Sequence, residues 1–422
     1  MSAHESMMVA GDMRVVTVWE LRGDLDEPAL DRALERLAER CPVLGGSLSC
    51  QDGRAYLRMP EQGRTAVPRL QHATELGPEL AAGSDWSAGP LLRMALVPGE
   101  PGHHHLVTTL PRACVDGTSL LSLQRAFWSF YAEAYENRQH PARPAEPVRP
   151  VQPVLAPAIE ERFADKYTPD DLRAYVDERA RTDARMPSVA LPALAATGGA
   201  PGPDPTFGAV RVGLDAARTA ALADLAHHNE LSVNSLVCGL LLAAVRPCLR
   251  PDTGPVRVCC GVAVDMRRRV APPIAEDVLQ SAASGFPVRV TVDTGADPVE
   301  LGRELAASVR ENLDAGTAER ELAAFSYMAQ QCPPTFFVTN LGTIPAPPLP
   351  GNLAVTGVRV LPMAHIPTVF AVVTRFDGEL HTDLTFSHAW YTDAQIEELA
   401  SRTHEVADAV VARRPEAVRA RP

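Results

Sequence analysis

Apolar and polar residues recur along the first part of the chain with two different periods. Dense runs of Val, Leu and Thr predict β-strands, and apolar residues spaced three and four apart predict amphipathic helices. Leu30, Ala33, Leu34 and Leu37 give such a helical stripe behind an acidic first turn. The first part therefore contains a predicted strand at Val15–Arg22, a helix at Pro28–Arg40, short strands, a strand at Leu106–Leu110 and a helix at Thr118–Tyr131.

The same alternation continues through the second half of the chain. A helix is predicted first, from the capping segment Thr168-Pro169-Asp170-Asp171. The later elements comprise five further strands and four helices, namely strands at Ala209–Leu214, Val256–Val264, Thr335–Thr339, Phe370–Arg375 and His381–Ser387, and helices at Ala216–Asn229, Val233–Leu249, Asp297–Leu313 and from Thr392 onward. This order predicts an α/β (α+β) fold in which a mixed sheet flanked by helices occurs twice.

Two segments interrupt the periodic pattern and divide the chain. At 422 residues the chain is long for one hydrophobic core, so two domains are expected. His140–Ala158 is rich in proline, which predicts an extended surface loop. Ala184–Gly208 is rich in Ala, Pro and Gly and predicts an inter-domain linker. The predicted division is an N-terminal subdomain over 1–183, a linker over 184–208 and a C-terminal subdomain over 209–422.

Composition and charge narrow the class of partner. The apolar fraction of 46% and the charged fraction of 22% are ordinary for a globular protein. The net charge is −12, and the basic residues form no stripe. Nucleic acid is therefore not an expected partner, because neutralising phosphates requires clustered cations.

The apolar runs indicate whether the chain spans a membrane, and the cysteine spacing indicates the redox state of its compartment. The longest apolar run, Leu236–Val245, is shorter than the roughly 18 to 20 residues of a membrane helix, so no membrane span is predicted. Met1–Met13 lacks the features of a signal peptide. The eight cysteines have no C-x-x-C spacing, which favours buried, reduced thiols in a cytoplasmic protein. Neither a metal site nor a cofactor is predicted.

The segment Leu110-Pro111-Arg112-Ala113-Cys114-Val115-Asp116-Gly117 carries the most specific chemistry. It lies between a predicted strand and a predicted helix, where it resembles the motif His-His-x-x-x-Asp-Gly. Asp and Gly are present at Asp116 and Gly117, but the two histidines are replaced by Pro111 and Arg112. Arginine cannot take the place of a general base, because its guanidinium stays protonated and accepts no hydrogen bond.

That motif belongs to condensation domains and polyketide-associated acyltransferases, which the chain resembles over nearly its whole length. Four further segments match landmarks of the family in the right order, namely Glu20–Leu25, Cys41–Leu44, Leu231–Leu236 and Val264–Arg267. Val338–Gly342 is similar to the family's "DFGWG" latch but lacks the leading Asp and the Trp. Among these enzymes the chain most resembles the phthiocerol/phthiodiolone dimycocerosyl transferase type. The resemblance implies two chloramphenicol-acetyltransferase-like subdomains in a V-shaped pseudo-dimer with a central tunnel.

The resemblance also implies roles for the motif residues. The carboxylate equivalent to Asp116 pairs with an arginine, here Arg267, and fixes the shape of the motif loop. Gly117 is expected to let the loop turn and the next helix start closely. For Arg112 two interpretations stay open. Either the general base has been lost from this position together with acyl transfer, or a cation at this position binds an anionic group or a developing enolate.

Another residue could supply the missing base. His365, in an apolar segment after the latch, is the best candidate, although a lone histidine of this kind is often a core residue. His103, His104 and His105 lie at the far end of the strand, with His105 roughly 20 Å from Arg112 at ~3.3 Å per residue.

Residues near the motif and the latch could contact the substrate. Cys114 is either a substrate-binding or nucleophilic thiol or a buried, inert one. Asn340 and Gly342 are expected to bind substrate, with a plain β-turn as the alternative.

Three functions are compatible with the sequence. The first is an acyltransferase of polyketide or peptide metabolism that transfers an acyl group from a thioester to a hydroxyl or amine. Its partners would be an acyl carrier protein or a CoA-type thioester and a small-molecule acceptor, and a polyketide or peptide synthase is a further possible partner. The second is a cyclase, isomerase or lyase in which Arg112 stabilises an oxyanion or enolate. The third is a non-catalytic recruitment module, like the condensation-type domains that have His-Arg-x-x-x-Asp-Asp and dock oxygenases.

Overall fold

The computed structural model of the chain describes residues 1–59, 67–81, 83, 85–139, 148, 156–192, 204, 206–328 and 333–412. Most of the predicted surface loop, and residues 193–203 and 205 of the predicted linker, lie outside these residues. In chain order the helices are α1 Ala3–Ala10, α2 Glu27–Arg40, α3 Leu76–Ala81, α4 Gly117–Gln139, α5 Pro169–Arg185, α6 Ala216–His228, α7 Val233–Val245, α8 Pro298–Asp314, α9 Thr317–Ala323 and α10 Asp393–Val411. The strands are β1 Arg14–Arg22, β2 Ser47–Gln51, β3 Arg54–Arg58, β4 Leu70–His72, β5 Arg93–Pro98, β6 His103–Pro111, β7 Phe207–Leu214, β8 Val256–Asp265, β9 Ala283–Val292, β10 Phe336–Thr343, β11 Ala354–Met363, β12 Val369–Phe376 and β13 Glu379–Ser387.

The chain forms two compact units, each assembled from discontinuous segments. Unit 1 comprises Met1–Thr168, Asp265–Ser284 and Ile344–His365, and unit 2 comprises Pro169–Val264, Gly285–Thr343 and Ile366–Pro422. Two segments from the second half of the sequence therefore belong to the first unit. The division at 184–208 stays a prediction about domains.

Unit 1 is built on a five-stranded sheet in the order β11-β1-β6-β5-β4. Helices α2 and α4 pack together. On α4, Trp128 lies edge-on to Trp19 of β1, with ring centroids 5.7 Å apart, and both are buried. Gln124 links the helix to two strands, because it accepts from Trp19 at 2.9 Å and donates to Thr108 at 2.8 Å. Burying such aromatic residues stabilises each by about 1.5–3 kcal/mol, and this packing fixes the position at which α4 begins.

Unit 2 is built on a six-stranded sheet in the order β7-β13-β12-β10-β8-β9. Its sheet is mixed, because β10 runs parallel to both β8 and β12 whereas β12, β13 and β7 are antiparallel. The apolar helix α7 is buried almost throughout and contacts α8 and α10. The predicted α/β (α+β) fold with two helix-flanked sheets is confirmed.

Most strands and helices named from the sequence are present within a few residues of their predicted ends. Three elements near the site were not predicted: the N-terminal helix α1 and the strands β9 and β11. Strand β11 pairs antiparallel with β1, with Arg14 opposite Met363. It brings a distant segment into the sheet that carries the motif.

No single helix among the described residues is long and apolar enough to cross a membrane. Helices α6 and α7 pass that test only as a pair, which is bent by 102°.

Candidate functional site

The motif loop lies in unit 1, between the end of β6 and the start of α4. Pro111 is the last residue of β6, and residues 112–114 form a short 3-10 turn before α4 begins at Gly117. The backbone N–H of Arg112 donates to the carbonyl of Met13 at 2.8 Å, which ties the loop to the start of β1. Gly117 does not have the left-handed backbone of a tight turn. It is the first residue of α4, and its expected role in letting the loop turn and the helix start closely stays a prediction.

Asp116 caps α4 with a reciprocal pair of hydrogen bonds. Its Oδ1 accepts from the Ser119 backbone N–H at 2.8 Å and from the Ser119 hydroxyl at 2.9 Å. The Ser119 Oγ in turn accepts from the Asp116 N–H at 3.1 Å. This satisfies backbone groups that the first turn of a helix leaves without partners. The Asp-x-x-Ser spacing is a capping pattern that the sequence analysis did not use.

The second oxygen of Asp116 binds Arg267, as predicted. Oδ2 lies 2.9 Å from Arg267 Nη2 and 3.0 Å from Nε, and it also accepts from the Ala282 N–H at 3.0 Å. Both side chains are buried, with 3% of Asp116 and 1% of Arg267 exposed. A buried ion pair of this kind requires each charge to be fully hydrogen-bonded.

Arg267 uses its remaining donors to hold the segment that carries it. It donates to the carbonyls of Ala275 at 2.6 Å, Val278 at 3.0 Å and Gln280 at 3.2 Å. The ion pair therefore joins the motif loop to the 265–284 segment of unit 1. Its arrangement is that of a structural element, because neither charge has solvent access.

Arg112 lies four residues before Asp116 along the chain and has a different environment. It is half-buried, and its Nη1 donates to the Val115 carbonyl at 2.5 Å and to the Ser281 hydroxyl at 3.0 Å. Within the described part of the chain no carboxylate forms an ion pair with it. Burial lowers the pKa of the guanidinium, and the charge of Asp116 raises it. Arg112 thus braces the loop through one nitrogen. Ser281, whose hydroxyl accepts one of these hydrogen bonds, lies in no motif that can be recognised in the sequence.

Cys114 lies in the apolar core beneath the loop. It packs with Leu48, Trp86 and Leu91, and Val9 of α1 lies against the same cluster. Loss of solvation, with a smaller contribution from the charge of Glu5, raises the pKa of the thiol to about 12. This environment favours the buried, inert alternative, and substrate binding by Cys114 stays a prediction.

His365 follows the end of β11, at the same end of the sheet where the motif loop begins. The last row of the sheet consists of Met363 on β11, Arg14 on β1 and Pro111 on β6. His365 follows Met363 by two residues, and Arg112 follows Pro111 directly. Adjacent strands are about 4.7–4.9 Å apart, and β1 lies between β11 and β6. The ends of β11 and β6 are therefore separated by about 10 Å.

The imidazole of His365 is biased toward its neutral form. Burial lowers its pKa, Asp12 raises it and Arg14 lowers it further. A neutral imidazole at physiological pH is the form that can accept a proton. The alternative histidines at His103, His104 and His105 occupy the opposite end of β6 and are half-buried rather than solvent-facing.

The two latch residues lie in unit 2. Asn340 and Gly342 are exposed near the end of β10, where the pairing with β12 shifts register. The Gly342 N–H donates to Asn340 Oδ1 at 2.7 Å, and Gly342 has a φ of +71°. The feature is a bulge within a strand rather than the plain β-turn considered as an alternative. Their contact with substrate stays a prediction.

The chain is similar in sequence to known proteins. Residues 203–393 match the family described as the phthiocerol/phthiodiolone dimycocerosyl transferase C-terminus. The phthiocerol/phthiodiolone dimycocerosyl transferase of Mycobacterium leprae (strain TN) is 23% identical over 360 residues, which cover 81% of this chain and 80% of that protein.

Solved structures show the same fold. Polyketide synthase associated protein 5 from Mycobacterium tuberculosis matches with a TM-score of 0.73 and 19% identity, over 96% of this chain and 97% of that chain. The epimerization domain from the third module of tyrocidine synthetase B matches with a TM-score of 0.70 and 16% identity, over 97% and 95%. The chain is therefore similar to phthiocerol/phthiodiolone dimycocerosyl transferases over most of its length, and it has the same fold as polyketide synthase associated protein 5 and the epimerization domain.

Proposed function

We propose that this chain is an acyltransferase of polyketide or peptide metabolism in which His365 replaces the missing motif histidine as general base. The observation that carries the proposal is the position of His365 at the same sheet edge as Arg112. The donor would be an acyl thioester of a carrier protein or of CoA, and the acceptor a small molecule with a hydroxyl or amine.

The reaction would proceed by addition and elimination at the thioester carbonyl. His365 takes the proton of the acceptor hydroxyl or amine while the acceptor oxygen or nitrogen bonds to the carbonyl carbon. The tetrahedral intermediate then collapses, the carbon–sulfur bond breaks, and the thiolate leaves with the proton from the imidazolium. The products are an ester or amide and a free thiol. A positioned base contributes ~10² to 10⁴ in rate to such a transfer.

Arg112 supports a second candidate, in which the chain catalyses a cyclisation, isomerisation or elimination. Its Nη1 is used by the loop, but the side chain is only half-buried. A guanidinium in that position could donate to an enolate or carbonyl oxygen without acting as a base. The third possibility, a recruitment module, requires no turnover at all.

The experiment is a transfer assay on the purified chain. A panel of acyl-CoA and acyl-pantetheine thioesters is incubated with alcohols and amines, and both product mass and released thiol are measured. We expect His365→Ala to lower turnover by ~10² to 10⁴, with the exposed His228 replaced by Ala as a matched control. If His365→Ala turns over normally, His365 is not the base. A product of unchanged mass, or one lighter by an eliminated small molecule, formed without thiol release, would indicate the second candidate.

A further inference from the structure

Asp12 has an unusual backbone for its residue type. It follows α1 with a φ of +45°, in the left-handed region that favours glycine. The N–H of Met13 bonds to the carbonyl of Met8 at 2.8 Å, and the N–H of Asp12 bonds to that of Val9 at 3.1 Å. These two bonds define a Schellman motif in which Asp12 occupies the position where glycine is usual.

The side chain of Asp12 gives a reason for this choice. Its carboxylate lies 3.1 Å from the guanidinium of Arg14, of which only 1% is exposed. Arg14 is the first residue of β1 and lies in the last row of the sheet, directly opposite Met363. A glycine would relieve the backbone strain but would remove the charge that meets this buried arginine.

The sheet register places Asp12 and the proposed base beyond the same end of two adjacent strands. Asp12 precedes Arg14 by two residues, and His365 follows Met363 by two residues on the adjacent strand. Both residues therefore lie beyond the same row of the sheet, on the side from which Arg112 also emerges, and the charge of Asp12 acts on His365.

We propose that Asp12 is a positioning residue, whose carboxylate holds His365 and Arg14 in a fixed arrangement at the end of the sheet. This inference rests on the proposed function of His365. In this arrangement the Asp12 carboxylate orients the imidazole of His365, as a carboxylate orients the catalytic histidine in other enzymes. The positive charge of Arg14 partly neutralises the carboxylate.

Burial is the main influence on the pKa of His365, and the charged groups around it add to this effect or oppose it. Asp12 and Arg14 act on it in opposite directions, and Arg14 itself is influenced by Arg93, which is paired with Glu79. Removing the charge of Asp12 leaves burial and Arg14, both of which lower the pKa of His365. The imidazole should then remain neutral to a lower pH.

The test uses nuclear magnetic resonance of the full chain labelled with ¹³C at the histidine Cε1 position, with His365→Ala to assign the signal. Asp12→Asn keeps a side chain that tolerates left-handed backbone and removes the charge. Asp52→Asn is the matched control, because Asp52 has a φ of +50° in an exposed turn. We expect the titration of His365 to shift to lower pH in Asp12→Asn and to stay in place in Asp52→Asn.

Turnover gives the second measurement. The acid limb of the pH–rate profile should move to lower pH in Asp12→Asn together with the titration of His365. An unchanged His365 titration in Asp12→Asn would overturn the positioning role. A titration that shifts without the acid limb would show that the limb does not report His365, which would overturn the proposed base. Failure of the proposed function would be seen separately. Normal turnover by His365→Ala would show that His365 is not the base, whatever the titration shows.

Discussion

The two ends of the motif loop have opposite surroundings, although five residues span it. At one end the buried carboxylate of Asp116 accepts four hydrogen bonds and forms an ion pair with a buried arginine. At the other end Arg112 is half-buried and makes two side-chain hydrogen bonds through a single nitrogen. The end that holds the loop in shape keeps the Asp and Gly of the motif that the loop resembles, and the other end has Pro111 and Arg112 in place of the two histidines of that motif. The shape of the loop therefore does not depend on those two histidines.

The largest expected effect comes from removing the Asp116 carboxylate. Asp116→Ala leaves Arg267 buried without its partner, which costs about 3–5 kcal/mol in the free energy of unfolding. Urea denaturation of the purified protein measures this. Ser119→Ala is the control, because it removes the capping partner without touching the ion pair and should cost only ~1 kcal/mol. A soluble Asp116→Ala protein of unchanged stability would contradict the structural role.

The next effect concerns the chemical role of Arg112. If its guanidinium contacts a reacting oxygen, Arg112→Ala should lower turnover by ~10² to 10³, and Arg112→Lys should retain a fraction because it keeps the charge but not the planar fork. Turnover is followed by product mass on the substrate found in the transfer assay.

Loop bracing and chemistry can be distinguished at this residue. Ser281→Ala removes one hydrogen-bond partner of Arg112 and leaves the cation in place. Normal turnover in Ser281→Ala with loss in Arg112→Ala would assign the effect to the cation. Equal losses would assign it to the bracing of the loop, and normal turnover in both would exclude a chemical part for Arg112. Arg112→His is not expected to improve acyl transfer by itself, since its surroundings have adapted to the guanidinium.

A smaller effect is expected for the core beneath the loop. Because burial raises the pKa of Cys114 to about 12, the thiol should resist iodoacetamide at pH 8 in the native protein. Exposed Cys50 is the internal control and should be alkylated readily. Peptide mass spectrometry after labelling distinguishes the two. Labelling of Cys114 as fast as Cys50 would show that the loop opens to solvent.

The sequence by itself determined the local elements and the retained end of the loop. Periodicity identified the strand, loop and helix around the motif, because a strand and an amphipathic helix each impose a period on their own residues. The pairing of Asp116 with Arg267 followed from the family resemblance. Both kinds of information are carried by residues that are close in sequence or that match a known motif.

Only the tertiary structure decided what surrounds the altered end. Strand β11 enters the sheet of unit 1 from more than 300 residues along the chain and brings His365 to the edge beside Arg14. Ser281 reaches Arg112 in the same way, and the left-handed Asp12 depends on the closure of α1. These contacts arise from pairing between distant segments, whose register depends on packing of the whole sheet rather than on any local pattern. For this reason the sequence named the residues, and the fold decided which of them meet.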